Sequence, residues 1–347
     1  MSSRIKELDA LRGIAALLVL LFHFTNGRIQ SSLGFKFGIT GVDLFFMISG
    51  FVIFMSISKV KSGTEFLINR FTRLYPTYWA SVTFTFVLML VIGHASINSL
   101  PTYFINLSMF QYFLHVPDID GPYWTLAVEL QFYILMFFLF YFRKLNGVVW
   151  TGCISSALLL IYDILFERFF PEITSVLDKV FPLLNHFPLF FAGILFYKMY
   201  DGRNKINEIV LSGFMLLFCF ILQLLRFENG GRTHYFMSHV QYGIILIIYF
   251  AFFTLFVSGK LTWIVSKPTL FLGKISFALY LLHQYIGKQI ITGLMESYDF
   301  SFWLSASIAF TLLVLLSAAI TFSIEIPFGK KLNSFLRKYF GISPRTG

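Results

Sequence analysis

Charged residues are scarce in this sequence: they make up 13% of its 347 residues, whereas 57% are hydrophobic. A soluble domain normally has about 25% charged residues. The mean hydropathy is correspondingly high, at +0.76. The chain also contains 46 phenylalanines and 17 tyrosines, which is typical of bundle cores and membrane interfaces. This composition excludes an ordinary soluble protein, because so much apolar surface requires lipid as its solvent.

Cysteine is nearly absent, since the chain has only Cys153 and Cys219, and both lie inside apolar runs. Two such residues form neither a disulfide framework nor a set with metal-ligand spacing, so we expect both to be packing residues and expect no metal. The net charge of +10 is the one feature typical of nucleic-acid binding. However, the basic residues form short clusters between long apolar runs, as they do in loops that flank membrane spans. We therefore expect no nucleic-acid partner.

Long apolar segments recur along the chain and predict an all-α fold, a polytopic membrane helix bundle. A spanning helix requires roughly 20 mainly apolar residues. Ten segments meet this requirement, namely residues 8–25, 38–58, 75–93, 123–142, 147–166, 181–199, 207–226, 239–257, 268–291 and 303–325. No soluble domain is visible, so we expect a single integral membrane domain over residues 1–347, with a short basic cytoplasmic tail from about residue 327. The expected location is a multi-pass position in the membrane, which in a bacterium is the inner membrane.

The distribution of lysine and arginine orients these spans, because cytoplasmic loops carry an excess of both residues. With the N-terminus inside, 20 of the 27 basic residues fall on the cytoplasmic side. These residues are Arg4, Lys6, Arg12, Lys59, Lys61, Arg70, Arg73, Arg143, Lys144, Lys198, Arg203, Lys205, Lys260, Lys267, Lys274, Lys330, Lys331, Arg337, Lys338 and Arg345. The outer side holds Arg28, Lys36, Arg168, Lys179, Arg226, Arg232 and Lys288. Both termini are therefore predicted to be cytoplasmic.

The longest outer loop covers residues 94–122 and contains neither lysine nor arginine. Its middle, residues 100–113, combines aromatic and polar residues in a pattern typical of a helix that lies in the membrane interface. We expect this segment to rest on the outer surface of the membrane.

Two ionisable residues, Arg12 and His23, lie eleven positions apart in the first apolar segment. Ionisable side chains inside a span are costly and usually mark function. At 100° per residue, eleven steps return to within about 20° of the starting direction, with a rise of roughly 16 Å. Both side chains therefore share one helix face, with Arg12 near the cytoplasmic end and His23 in the outer half. The alternatives are an arginine that only extends to the interface and a histidine that only bonds a carbonyl in the core.

Further polar residues are predicted at the depth of His23. Asp43 and Glu129 lie in the outer halves of the second and fourth spans, and His186 and His283 fall at similar depths. A histidine beside a carboxylate is the arrangement that general-base catalysis on a hydroxyl requires, because the carboxylate orients the imidazole and stabilises its charged form. We predict His23, Asp43 and Glu129 as catalytic residues. The alternative for the two carboxylates is that they only form hydrogen bonds between helices.

A second polar layer is predicted on the cytoplasmic side. Arg70 and Arg73 are three residues apart, so one helix face presents both, and paired guanidiniums suit phosphate because they are planar donors of several hydrogen bonds. Glu325, at the inner end of the last span, is placed to pair with Arg12 or with either of these arginines. The alternative is an ordinary positively charged cytoplasmic loop.

Six motifs along the chain, in this order, are similar to those of the acyltransferase-3 family of integral membrane O-acyltransferases. They are residues 8–13 (LDALRG) followed by His23, residues 41–51 (GVDLFFMISGF), residues 70–76 (RFTRLYP), residues 123–133 (YWTLAVELQFY), residues 273–283 (GKISFALYLLH) and residues 325–327 (EIP). Three positions depart from the family pattern: Thr125 replaces a frequent serine, Leu130 a second glutamate, and Asn69 the first residue of a double arginine. The resemblance covers nearly the whole chain.

The resemblance implies a ten-helix enzyme that transfers an acyl group, usually acetyl, from cytoplasmic acyl-CoA to an extracytoplasmic acceptor, usually a sugar hydroxyl. It also implies functional roles for Arg12, His23, Arg70, Arg73 and Glu325. We assign the four residues other than His23, together with Tyr75, to the acetyl-CoA site. We assign Trp124 and His283 to the acceptor site.

The predicted function is therefore O-acetylation of a cell-envelope polysaccharide or of its lipid-linked precursor, with membrane lipid, acyl-CoA and carbohydrate as partners. Two routes remain open: direct transfer with His23 as the base, and an acyl-enzyme with His23 as the nucleophile. The alternative function is a transporter or flippase for a polysaccharide precursor. It is less favoured, because the sequence has none of the internal repeats or paired broken helices that are common in transporters.

Overall fold

The computed structural model describes residues 5–202, 206–228 and 233–342, and every regular element in these ranges is a helix. The α-helices are α1 (Lys6–Thr25), α2 (Gly41–Ile57), α3 (Gly63–Val91), α4 (Leu100–Leu107), α5 (Trp124–Tyr141), α6 (Val148–Ile161), α7 (Glu167–Phe169), α8 (Pro171–Val180), α9 (Leu183–Tyr200), α10 (Ile206–Leu225), α11 (His239–Val257), α12 (Lys267–Leu282), α13 (Tyr285–Tyr298), α14 (Phe302–Ile320) and α15 (Ile326–Tyr339). The predicted all-α class is confirmed. Five basic residues used to orient the chain lie outside the described ranges, namely Arg4, Arg203, Lys205, Arg232 and Arg345.

Seven helices in the described part of the chain are long and apolar enough to cross a membrane, and a bent pair raises the number to eight. The seven are Lys6–Thr25, Phe35–Ile57, Gly63–Val91, Gly121–Tyr141, Leu145–Phe166, His239–Val257 and Phe302–Tyr339. The bent pair is Pro171–Val180 with Leu183–Tyr200, at an angle of 58°. The chain is thus a multi-pass integral membrane protein, as predicted, although fewer segments meet the criterion than the ten expected.

The missing spans have identifiable causes. The predicted span 268–291 is divided, because α12 ends at Leu282 and α13 begins at Tyr285. The predicted span 207–226 appears as a shorter apolar helix, Ile209–Leu225. In the opposite direction, α3 begins twelve residues before the predicted start at residue 75, so that it carries Arg70 and Arg73 on regular helix.

The helices form two compact units. The first consists of Met1–Gly38, Thr64–Ala127 and Lys267–Gly347, and the second of Ile39–Gly63 and Val128–Ser266. Both are built from segments that are distant in sequence, so each unit depends on long-range helix packing.

In the first unit, α1 and α12 cross at two glycines. A Cβ atom on Gly273 would lie 1.9 Å from the carbonyl oxygen of Asp9, and one on Gly13 would lie 2.7 Å from the nitrogen of Gly273. The two backbones therefore touch, as they do at small residues in membrane helix interfaces. His23 and His283 each follow their glycine by ten residues, and their rings are in contact. The two helices thus run parallel from the glycine crossing to the histidines.

We expect Gly273→Val to destabilise the protein by about 1–3 kcal/mol, because the added atoms meet backbone, which has no rotamer to change. The midpoint of thermal unfolding in detergent measures this loss. The matched control is Gly293→Ala on α13, where an added Cβ has no atom within 4 Å, so this change should be neutral or stabilise by up to about 1 kcal/mol. Equal stability of Gly273→Val and the parental protein would contradict the close crossing.

The second unit uses the same device between α2 and α9. A Cβ on Gly50 would lie 2.0 Å from the carbonyl oxygen of Phe190, and one on Gly193 would lie 2.1 Å from that of Met47. One turn before the crossing, the rings of Phe46 and His186 are 4.6 Å apart. These two helices also run parallel, and together they bury the polar side chains described below.

The predicted interfacial segment, residues 100–113, lies along α3. Hydrogen bonds connect the Thr83 and Tyr103 hydroxyls at 3.0 Å, the Trp79 ring N–H and the Leu107 carbonyl at 2.9 Å, and the Tyr75 hydroxyl and the Ser108 carbonyl at 2.8 Å. Along these three bonds the residue numbers fall on α3, from 83 to 75, and rise on the segment, from 103 to 108. The two therefore run antiparallel. From Thr83 to Tyr75 the segment follows α3 for roughly 12 Å. Specific side-chain bonds to backbone carbonyls therefore hold it against the bundle.

The predicted basic tail begins with a packed helix, α15. Arg337 is only 6% exposed and forms an ion pair of 3.0 Å with Glu65 on α3. On the same helix, the Asn333 side-chain amide donates to the Thr72 hydroxyl at 2.9 Å. At least this one positive charge of the basic tail is thus neutralised inside the protein, since a buried guanidinium requires a carboxylate partner.

Candidate active site

The first unit brings together His23 and His283, which the sequence placed at similar depth. Their ring centroids are 5.0 Å apart. His283 is 1% exposed, whereas His23 is half-buried. Two imidazoles in contact inside an apolar bundle provide a base and a second nitrogen acceptor in one place. This pair is the centre of the candidate active site.

The tautomer of His283 follows from its hydrogen bond. Its Nδ1 lies 2.7 Å from the carbonyl oxygen of Tyr280, and since a carbonyl only accepts, Nδ1 carries the proton. In the neutral ring, Nε2 is then an acceptor, and this buried atom has no hydrogen-bond partner in the described part of the protein. His283 also stands in the break between α12 and α13, where the regular helix is interrupted.

The predicted cytoplasmic cluster lies in the same unit. Arg73 forms an ion pair with Glu325, and it is one of the three arginine partners predicted for that carboxylate. The Arg73 guanidinium also lies over the Phe277 ring of α12, 5.7 Å from its centroid. Arg70 is half-buried one turn earlier on α3, and Arg12 is half-buried on α1. The arginines and His23 therefore belong to one packed unit, and α1 carries members of both polar layers.

Two neighbours of the paired arginines have structural partners. Asn69, which departs from the family pattern, is 7% exposed and accepts a hydrogen bond of 3.2 Å from the Asn333 amide. Tyr75, which we assigned to acetyl-CoA, donates its hydroxyl proton to Ser108. Asn69 thus faces α15, and the guanidiniums of Arg70 and Arg73 are the charges that this stretch of α3 provides.

The start of α5 contributes the next two residues. Trp124, predicted to contact the acceptor, is half-buried at the first position of the helix. The Thr125 hydroxyl donates to the Pro122 carbonyl at 2.8 Å and lies 3.0 Å from the Tyr280 hydroxyl. A hydroxyl at position 125 is therefore what the contact with α12 requires, and threonine supplies it as well as the serine that is frequent in the family.

Asp43 belongs to the second unit, where it is 4% exposed. The Tyr242 hydroxyl forms a hydrogen bond with its carboxylate, and the Gln223 amide donates to the same hydroxyl at 3.2 Å. Because the phenol accepts from the amide, its own proton is directed to Asp43. The pairing of Asp43 with His23 stays a prediction, since these residues belong to different units.

Glu129 also lies in the second unit and is half-buried. One carboxylate oxygen accepts from the Tyr133 hydroxyl at 2.7 Å and from the Ser49 hydroxyl at 3.3 Å. Tyr133 is one turn further along the same helix, and Ser49 lies on α2, so Glu129 connects the two helices. Its predicted catalytic role likewise stays a prediction.

Sequence reasoning missed one buried charge. Arg226, counted on the outer side at the end of the predicted span 207–226, is completely buried and forms ion pairs with Asp163 and, at 3.1 Å, with Asp178. It also donates to the Asn185 side chain. These partners lie at the end of α6, on α8 and on α9, so the guanidinium joins three helices to the end of α10. The signal available in the sequence was the carboxylate of Asp163, which lies inside the predicted span 147–166.

We expect Arg226→Gln to destabilise the protein by about 3 kcal/mol, because removing one member of a buried ion cluster leaves the remaining charges uncompensated. Chemical or thermal unfolding of the purified protein measures the loss. Arg168→Gln, which removes an exposed charge in the same unit, should change stability by less than about 0.5 kcal/mol. Similar stability of the two variants would show that the Arg226 cluster contributes little.

Comparison with known proteins identifies the family to which the chain is similar. The model of the acyltransferase-3 family, described as an acyltransferase domain, matches residues 5–325. This range contains every residue of both polar layers. No solved structure matches the chain significantly.

Individual relatives extend the similarity. The "Putative acetyltransferase ORF330" of Acidianus two-tailed virus is 23% identical over 288 residues, covering 79% of this chain and 80% of that protein. A "Putative O-acetyltransferase" of Staphylococcus aureus (strain COL) is 26% identical over 360 residues, covering 88% of this chain but 55% of that protein. The "Nodulation protein 10" of Rhizobium leguminosarum bv. viciae is 27% identical over 154 residues, covering 37% of this chain and 42% of that protein. The chain thus spans about half the length of the last two relatives.

Proposed function

The chain belongs to the acyltransferase-3 family, and we propose that it transfers an acetyl group from cytoplasmic acetyl-CoA to a hydroxyl of an extracytoplasmic or lipid-linked carbohydrate. The observation that carries this proposal is the contact between His23 and the buried His283. A base in an apolar bundle, next to a second imidazole with a fixed tautomer, suits proton removal from a hydroxyl. The names of the relatives support acetyl as the group transferred.

Acetyl-CoA is proposed to bind through its phosphates to Arg70 and Arg73, with Arg12 nearby on α1. Guanidiniums donate several charge-assisted hydrogen bonds to phosphate oxygens, which favours them over lysine for this purpose. The carboxylate of Glu325 holds the Arg73 side chain and fixes one donor before the substrate arrives. Both chain termini are proposed to be cytoplasmic, in agreement with the excess of basic residues predicted on that side.

In the direct route, the pantetheine arm extends along the bundle and places the thioester near His23. His23 takes the proton from the acceptor hydroxyl, whose oxygen attacks the thioester carbonyl. The carbon–sulfur bond then breaks, and the CoA thiolate takes up the proton. We propose that Asp43 or Glu129 orients His23 and that Trp124 and His283 contact the acceptor. In the second route, a nitrogen of His23 attacks the thioester carbonyl, the carbon–sulfur bond breaks and CoA leaves as its thiolate. The acceptor oxygen then takes the acetyl group from the imidazole, and the hydroxyl proton passes to the thiolate.

Mass spectrometry of surface glycans tests the proposal. Cells that express the protein should carry glycans heavier by one acetyl unit than cells that lack it, and the fragment that gains this mass identifies the acceptor. A mass difference of one succinyl unit would instead identify succinyl as the group transferred. Identical glycans and no acetylated lipid-linked intermediate in the two cell types would contradict the proposed acceptor.

A further inference from the structure

The carboxylate of Asp120, which comes from the segment before α5, lies at the start of α13. Both oxygens of Asp120 are 3.2 Å from the backbone N–H of Tyr285, and Oδ1 also accepts the N–H of Gly121 at 2.8 Å. Asp120 is 3% exposed. The first N–H groups of a helix have no partner within it, and an acidic side chain satisfies them best. Asp120 therefore caps a helix that begins 165 positions further along the chain.

The helix start that Asp120 caps is also the break that contains His283. Asp120 bonds Tyr285, two residues after the histidine, and Thr125 contacts Tyr280, three residues before it. Between them, the backbone of Gly121 lies so close to the Gln284 side chain that an added Cβ would come within 2.5 Å of it. One short segment thus holds both flanks of His283.

The position of Asp120 is itself fixed on α3. The side chain of Asn106, which is fully buried, accepts the Ile119 N–H at 3.1 Å and donates to the Pro117 carbonyl at 3.0 Å. The Tyr78 hydroxyl of α3 donates to the Asn106 carbonyl at 2.8 Å. These hydrogen bonds hold the segment that carries Asp120 against Asn106, which Tyr78 in turn connects to α3.

We infer that Asp120 is a positioning residue of the acyl-transfer site: by capping α13 it fixes the helix break that holds the His283 imidazole against His23. Since this role rests on the proposed function, its effect should appear in the transfer step and not in the binding of acetyl-CoA. Small displacements of a reacting group cost up to about 100-fold in rate.

The ionisation of Asp120 gives a readout that a purely structural role would not change. Burial raises the pKa of this carboxyl to about 7, against the lowering effects of the Tyr285 and Gly121 N–H groups and of Lys288. The other groups that face it are Asp118, Tyr123 and Tyr285. Above pH 7 both carboxylate oxygens of Asp120 accept hydrogen bonds, whereas below pH 7 one of them carries a proton. The carboxylate, which is the better cap, is therefore the form present at higher pH.

The experiment compares Asp120→Asn with the parental protein by the transfer of labelled acetyl from acetyl-CoA to membrane glycan. At pH 8.5 we expect kcat to fall by about tenfold, with KM for acetyl-CoA unchanged. The ratio of parental to variant kcat should approach one below pH 6, because the amide resembles the protonated acid. Combined with His283→Gln, the substitution should add little to the loss caused by His283→Gln alone, since the two residues act as a unit. Asp118→Asn, which affects a neighbouring carboxylate bonded to Gln111, is the control.

An unchanged kcat for Asp120→Asn at pH 8.5, a fully additive double variant, or an equal loss in Asp118→Asn would each overturn the inference. If Asp120→Asn folds poorly, Asp120→Ser replaces it, because serine retains a capping oxygen. A parental kcat in His283→Gln would contradict this inference and the acceptor contact proposed for His283, whereas acetyl transfer with His23 as the base would stand. Absence of any acetyl transfer by the parental protein would contradict the proposed function itself.

Discussion

Replacing His23 by alanine should lower kcat for acetyl transfer by about 10²–10⁴-fold, the usual contribution of a positioned general base. The reason is that, in the proposed mechanism, the hydroxyl attacking the thioester loses its proton to His23, the half-buried imidazole in contact with His283. The measurement is incorporation of labelled acetyl into membrane glycan, normalised to the amount of folded protein. His23→Gln should lose a similar factor, because an amide has no comparable basicity.

The matched control is His115→Asn. His115 is an exposed histidine with a φ of 54°, a backbone conformation that asparagine tolerates, so its replacement should leave kcat unchanged. Labelling of the protein itself separates the two routes: acetyl that remains on the parental enzyme without acceptor, and is absent from His23→Ala, favours the acyl-enzyme. Parental activity in His23→Ala would contradict both routes.

The helical periodicity of the sequence predicted the parts of the fold that depend on one helix at a time. Arg12 and His23 were placed on one helix by their spacing, and α1 confirms it. His23 and His283 were predicted to lie at similar depth, and their rings are in contact. Such inferences succeed because a membrane span fixes the depth of each residue along its axis.

The parts that were missed depend on contacts between distant segments. The break at His283 leaves little trace in hydropathy, because Asp120, 163 residues earlier, supplies the cap that stabilises it. The interfacial position of residues 100–113 stays a prediction, but their bonds to α3 were not predicted, because Tyr75 and Trp79 donate to backbone carbonyls, which a sequence pattern does not reveal. Arg226 was counted only as a charge on the outer side, at the end of the predicted span 207–226. Its burial is only evident once Asp163 and Asp178 are seen to converge on it.

Replacing both Arg70 and Arg73 by glutamine should abolish the stabilisation that acetyl-CoA gives the purified protein. At a concentration of about 100 times Kd, the substrate should stabilise the parental protein by about 2.7 kcal/mol. Charge-assisted hydrogen bonds contribute about 1.5–3 kcal/mol each, so the loss of two guanidiniums should weaken binding by two orders of magnitude or more. The shift in thermal unfolding midpoint on adding acetyl-CoA measures the effect.

The design must separate the loss of a phosphate site from the effect of leaving Glu325 without its partner. The double variant is therefore also made with Glu325→Gln, which removes the buried charge that Arg73 neutralises. Lys59→Gln with Lys144→Gln removes the same net charge from two exposed residues and should retain the full acetyl-CoA shift.

If the arginine variants also retained the acetyl-CoA shift, the phosphates would bind elsewhere. If the parental protein showed no shift with acetyl-CoA, the donor site itself would be in error. A shift that disappears only when Arg70 and Arg73 are replaced, with or without Glu325→Gln, would assign the phosphates to this helix and place the donor end of the reaction in the same unit as His23.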